Sequence, residues 1–255
     1  TTYTALYSVT TDPSGHVYGV DNTTGAVFRF GANFGKLTAL GTDNRQPDGI
    51  TYHNGQLYLS NSDGSVTTIA ATGGAMFTVV TAPSVAGTEA SSQQLSWDAQ
   101  GNLYVANYTG NVIGEIASGA ISETTTGLRL PTHCGPFGTV IYAKTLYVAC
   151  YDKDVLVKAS MPLTSGETST LVPTPKLNDP GEMVVDAHHN LYVVNYRTDT
   201  LVKVPLTGGK ASYVTTYGTQ LFAPWGLAIS GNSLYTLLLS QPNVLAKIAL
   251  PPATH

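Results

Sequence analysis

One phrase constrains this chain more than any other feature: a small-residue turn followed by an apolar residue, Tyr and an apolar or small residue. It occurs six times, as Val17-Tyr18-Gly19, Leu57-Tyr58-Leu59, Leu103-Tyr104-Val105, Leu146-Tyr147-Val148, Leu191-Tyr192-Val193 and Leu234-Tyr235-Thr236. The tyrosines are 40 to 46 residues apart. A period of this length marks a repeat architecture, in which each unit buries its apolar surface against its neighbours. Upstream of the Tyr phrase stands a Pro/Gly-rich start: Pro47-Asp48-Gly49-Ile50, Pro136-Phe137-Gly138, Pro180-Gly181-Glu182-Met183 and Pro224-Trp225-Gly226-Leu227. Downstream come a third alternating run, such as Leu201-Val202-Lys203-Val204, and a fourth, such as Phe77-Thr78-Val79-Val80. Short β-branched and aromatic runs bounded by Gly, Asn and Asp read as strands. No window carries the 3.6-residue period that a βα repeat needs. The expected fold is all-β: a six-bladed β-propeller with four antiparallel strands per blade, forming a single domain over residues 1–255.

The ends of the chain bear on closure of the ring. After Val244–Ile248 only Ala249–His255 remain, and Pro251-Pro252 does not suit a central strand. The N-terminal run Thr1–Leu6 alternates suitably and is expected to complete blade six as its outer strand, which removes an exposed edge.

Composition narrows the function classes. Twelve Lys and Arg against 16 Asp and Glu give a net charge of -4. No excess of cations exists to neutralise phosphates, so nucleic acid is not an expected partner. Hydrophobic content of 42% excludes disorder. The longest aliphatic stretch is Leu237–Leu239, so no membrane span is expected. The chain starts at Thr rather than Met and reads as processed or trimmed. Low charge and abundant Thr, Ser, Asn and Gly suit a secreted or periplasmic protein, expected to be a monomer. Cys134 and Cys150 flank the first hairpin of blade four. If that hairpin turns near Ala143-Lys144, position 150 faces about 137, and Cys134 is close enough to bridge after a bend. A disulfide suits an exported chain; the alternative is two buried free thiols. A Gly-x-Ser-x-Gly elbow, a phosphate-binding Gly-rich loop and a His-Glu-x-x-His pair are all missing.

The phrases Pro47-Asp48-Gly49-Ile50 with Gly55-Gln56-Leu57-Tyr58-Leu59, and Asp179-Pro180-Gly181-Glu182-Met183-Val184-Val185-Asp186 with Asn190-Leu191-Tyr192-Val193-Val194, resemble six-bladed propellers of the NHL-repeat type. They are also similar to the streptogramin lyases and to the gluconolactonase (senescence-marker-protein-like) lactonases. The resemblance covers essentially the whole chain and implies the fold rather than the activity. In such propellers the starts of the innermost strands and the loops after the Tyr strands face one mouth of the central channel. This places Asp48, Gln94, Phe137, Glu182 and Trp225, together with Asn107, Tyr151 and Asn195, around that mouth.

Three functional readings follow. The first is an extracytoplasmic propeller that binds a small molecule or a protein partner at the mouth, through Gln94, Asn107, Phe137, Tyr151, Asn195 and Trp225. The second, implied by the lactonase resemblance, is a divalent-metal-dependent hydrolase of lactones or esters. Asp48 and Glu182 would hold Ca²⁺ or Mg²⁺ with Asn107 and Asn195, because such ions take hard oxygen ligands. Blade one offers no acidic start to match that family's ligand pattern. The third, implied by the lyase resemblance, uses His133 as acid or base. No cofactor is certain on any of these readings. The remaining histidines occupy turns or the terminus.

Overall fold

The computed structural model describes residues 5–31, 34, 36–81, 91–214, 221, 223–239 and 244–250. The chain forms six antiparallel sheets in sequence order, five with four strands and the sixth with three described strands. It is a six-bladed β-propeller. The innermost strands are Leu6–Thr11, Pro47–His53, Ser92–Trp97, Pro136–Tyr142, Pro180–Val185 and Pro224–Ser230. Each packs against the next, and the sixth packs against the first, so the ring closes around a central channel. No described helix is long and apolar enough to cross a membrane.

Ala5 and Leu6 belong to blade one. Leu6 lies opposite Asp21, and the Asn22 amide donates to the Ala5 carbonyl at 3.0 Å. The remainder of the N-terminal run expected to complete blade six, residues 1–4, lies outside the described residues.

The recurrent Tyr strand is apolar on both faces because both faces of a blade are covered. Successive side chains of a strand point to opposite sides. In Asn190–Asn195, Leu191 and Val193 join the core shared with blade four, while Tyr192 and Val194 join the core shared with blade six. Six such clusters fill the six gaps between blades, and each recurrent tyrosine sits in or against one of them. Burial of this kind contributes roughly 25 cal/mol per Å² of apolar surface, distributed around the ring.

Odd and even blades differ in their first hairpin. In blades one, three and five an aspartate opens the turn: Asp12, Asp98 and Asp186 accept from the backbone N–H groups of His16, Asn102 and Asn190, at 2.9, 2.8 and 2.8 Å. Tyr18 and Tyr192 then donate their hydroxyls to Asp12 and Asp186. Blades two and four use two-residue turns with positive φ at both positions, Asn54-Gly55 and Ala143-Lys144. These match the right-handed twist of the flanking strands. Lys144 in particular is an expensive choice at such a φ, whereas Gly55 carries no steric penalty.

Candidate functional site

Every innermost strand carries a register shift near its start, where one extra residue stands opposite the second strand. A bulge bends the strand and re-aims its side chains. Alignment on these shifts gives two tiers of residues around the channel. The outer tier is Tyr7, Asp48, Gln93, Phe137, Gly181 and Trp225, in blade order. The inner tier is Ser8, Gly49, Gln94, Gly138, Glu182 and Gly226, so polar side chains alternate with glycines.

The inner tier closes the axis. Glu182 accepts from the Ser8 hydroxyl at 2.5 Å and from the Leu227 amide at 2.7 Å, and Ser8 in turn accepts from the Ile50 amide at 3.2 Å. The Gln94 side chain accepts from the amides of Thr139 and Met183 at 2.9 and 3.0 Å and donates to the Met183 carbonyl at 2.8 Å. These bonds draw on all six blades. The glycines give the adjacent strands room: a Cβ on Gly138 would lie 2.2 Å from the Gly181 carbonyl oxygen. Burial pushes the Glu182 carboxyl up to about 8, against the downward pull of its bonds from Ser8 and Leu227. Farther along the axis a cavity of about 250 Å³ is lined by the rest of the inner strands.

The outer tier faces the mouth and gathers rings from several blades. Trp225 is central. Tyr7, Phe137, Tyr151 and Tyr196 surround it with ring centroids 5.2, 5.2, 6.3 and 4.9 Å away, all at steep angles. Phe137 stacks on Tyr151 at 5.4 Å, and Tyr108 meets the edge of Tyr151 at 6.1 Å. Edge-to-face pairs suit the quadrupoles of the rings. Phe137 is buried, and the other five are half-buried. Aspartates rim the cluster: Tyr108 donates to Asp152 at 2.8 Å, and Arg197 pairs with Asp179. Asp48 is buried at 6% exposure and accepts from Asn22 Nδ2 at 2.7 Å and from the Ser62 hydroxyl at 2.6 Å. Burial raises its carboxyl to about 6 despite the Ser62 bond. Asn22 and Ser62 also line an open polar groove between blades one and two, bordered by Asp43, Arg45 and Asp63. Burial, with Asp48 and Tyr151 beside it, holds the Tyr7 hydroxyl well above the usual phenol range.

The structure brings Phe137, Tyr151 and Trp225 together as one surface. It places Gln94 in the axial closure instead. Asn107 and Asn195 are buried at the ends of their strands, where their side-chain oxygens accept from the amides of Gly110 at 2.8 Å and Asn178 at 2.6 Å. They cap turns. At the equivalent place in blade four the chain has Cys150, which is bonded to Cys134; both are fully buried. Cys150 faces Pro136, one residue from the expected 137. His133 is exposed in a left-handed turn just before this disulfide. Tyr7, Tyr108 and Tyr196 were not read from the sequence as site residues. Tyr7 could have been found by aligning the strand starts, because it occupies the position of Asp48 and Trp225.

The oxygen donors expected around a divalent ion are dispersed: Glu182 lies in the inner tier, Asp48 in the outer tier, and Asn107 and Asn195 at separate strand ends. Both Glu182 oxygens and the side-chain oxygens of Asn107 and Asn195 already accept protein hydrogen bonds. Among the described residues no three His, Cys, Asp or Glu side chains cluster as a metal site.

No known family's sequence model matches this chain, and no curated protein sequence matches it. Solved structures do. In fold, the chain is similar to the streptogramin B lyases. Virginiamycin B lyase from Staphylococcus aureus superposes with a TM-score of 0.71 at 16% identity, covering 96% of this chain and 80% of that one. A luciferin-regenerating enzyme gives 0.74 at 12% identity, covering 99% and 93%. A Bacteroides thetaiotaomicron protein of unknown function gives 0.80 at 14%, covering 97% and 70%. At these identities the likeness is one of fold, in agreement with the resemblance read from the repeats.

Proposed function

We propose that this propeller is an extracytoplasmic binding protein that takes a small amphipathic molecule at the channel mouth. The apolar part of the ligand lies on the ring surface around Trp225, and its polar part reaches toward Asp48 and the groove between blades one and two. The observation that carries this reading is the convergence of rings from blades one, four and five on one tryptophan of blade six, with the buried Asp48 carboxylate beside Tyr7. Mostly apolar walls with a few placed polar groups are the usual make-up of a small-molecule site. The disulfide supports export.

A lyase reading finds less support. A virginiamycin B lyase was solved with quinupristin as a catalytically inactive variant in which one histidine is replaced by alanine. In the present chain no described histidine ring contacts the aromatic cluster. His16, His53, His188 and His189 belong to or flank hairpin turns at the opposite end of the inner strands, and His133 is exposed on a turn. A metal-dependent hydrolase reading finds its oxygen donors spread over two tiers and separate strand ends, with no cluster of metal-ligating acids or histidines among the described residues.

The chain has two tryptophans. In Trp97→Phe, Trp225 is therefore the sole indole reporter at the mouth. Small aromatic and cyclic compounds are expected to change its fluorescence saturably, and Tyr151→Ala is expected to weaken that response about tenfold, as for loss of one large contact. A folded Trp97→Phe protein that gives no saturable response to any such compound would overturn the reading.

A further inference from the structure

The polar atoms of the mouth specify more than an amphipathic ligand. Gln93 occupies the outer-tier position in blade three, next to Asp48 in blade two. It is 4% exposed; its Nε2 donates to Ser91 at 2.6 Å, while its Oε1 is buried with no partner among the described residues. Asp48 is an acceptor too. An ionised carboxylate offers about four lone-pair positions, and Asn22 and Ser62 occupy two of those on Asp48. Two successive outer-tier positions, in blades two and three, therefore carry buried side chains with acceptor capacity left over.

The nearby cations are committed elsewhere. Arg45 pairs with Asp43 and Asp63, and Arg197 pairs with Asp179. Tyr7 stands between Asp48 and the ring wall around Trp225 in blade order. An anionic ligand would meet Asp48 with no compensating charge, and a purely apolar one would leave the Gln93 oxygen unpaired as it is in the free protein, forgoing about 1–3 kcal/mol that an N–H donor could recover. A ligand with N–H donors and a positive charge satisfies the acceptor side, and ring faces attract such a charge as well.

We infer that the ligand is an organic amine: a protonated nitrogen held between Asp48 and Gln93, carried on an aromatic or cyclic apolar body that lies against Trp225, Tyr151 and Phe137. This rests on the reading of the mouth as a binding site, and the test separates the two.

Three probes share one body and differ in charge: 2-phenylethylamine, 2-phenylethanol and 3-phenylpropionate. Each is titrated at neutral pH into the Trp97→Phe protein, with Trp225 fluorescence and calorimetry as readouts. The amine is expected to saturate, the alcohol to bind at least about tenfold more weakly and the carboxylate not to bind, as befits a charge-assisted bond. Asp48→Asn keeps an acceptor for Asn22 and turns an N–H₂ toward Ser62, whose hydroxyl can accept it while donating to the Gln46 carbonyl. Confirmed folded by its melting curve, it is expected to abolish the preference for the amine, so that amine and alcohol bind this variant equally. If the alcohol matches the amine, or if Asp48→Asn preserves the preference, the amine inference falls and the mouth remains a binding site. If none of the probes perturbs Trp225, both fall.

Discussion

Three carboxyls bear on the pH response of this protein, the buried Asp48 and Glu182 and the half-buried Glu123. Burial raises Asp48 to about 6, Glu123 to about 7 and Glu182 to about 8. Glu123 lies across Gly114, where a Cβ would sit 1.7 Å from its Oε1. In each case the folded state holds its proton more tightly than the unfolded chain does. The resulting stabilisation is complete below the ordinary carboxylate range and fades as pH rises through 6 to 8. Asp12 and Asp186 act in the opposite sense. Burial pushes them up, but bonds from His16 and from Asn190 outweigh it and leave both low, so their contribution fades under acid. Stability is therefore expected to be greatest near pH 5 and to decline toward pH 9, as measured by melting across that range. Glu182→Gln keeps a neutral bonding partner for Ser8 and Leu227. It is expected to melt roughly 5–10 °C above the wild type at pH 9, with little difference at pH 4.5. Equal melting temperatures at both pH values would show that Glu182 is not held protonated by the fold.

Among the elements, the start of each inner strand decides the site. The bulges turn two successive side chains toward the axis, so the second position must be either a bridging polar group or a glycine. Gly138→Ala is expected to cost several kcal/mol or to prevent folding, because its Cβ meets backbone rather than a side chain that can move. Blade four adds a second constraint. Its disulfide joins the segment leading to Phe137 with the residue just before Tyr151, and the Tyr151 amide donates to the Gly135 carbonyl at 3.0 Å. Replacing both cysteines by serine is expected to cost about 3 kcal/mol, read as a fall of roughly 6–12 °C in melting temperature. An unchanged melt would mean that hydrogen bonds alone hold this corner. The strand pattern and the hairpin at Ala143-Lys144 were legible as local chemistry. The bulges were not, because an extra residue in a strand leaves no mark in its composition. Gln94 was consequently expected at the mouth, whereas the shift gives the outer-tier position to Gln93 and the inner one to Gln94.

On the scale of the whole molecule, the six blades behave as three pairs. Ser8, Gln94 and Glu182 come from odd blades and the three axial glycines from even ones, and the aspartate-opened hairpins also belong to the odd blades. The alternation has a steric origin: six side chains cannot all enter one narrow axis, whereas three side chains facing three glycines can. Closure also belongs to this scale. If residues 1–4 complete blade six, a chain lacking them is expected to melt several degrees lower, because a paired outer strand becomes an exposed edge. An unchanged melting temperature would show that the sixth blade is stable with three strands.

The sequence by itself determined the number of blades, their strand grammar and the apolar character of both blade faces. Those properties follow from short-range periodicity and the need to cover each sheet. The tertiary structure alone decided which side chains meet at the mouth and which brace the axis. Tyr7, Gln93, Phe137 and Trp225 lie far apart in the chain, and only ring closure combined with a one-residue shift in each inner strand turns them toward a common centre.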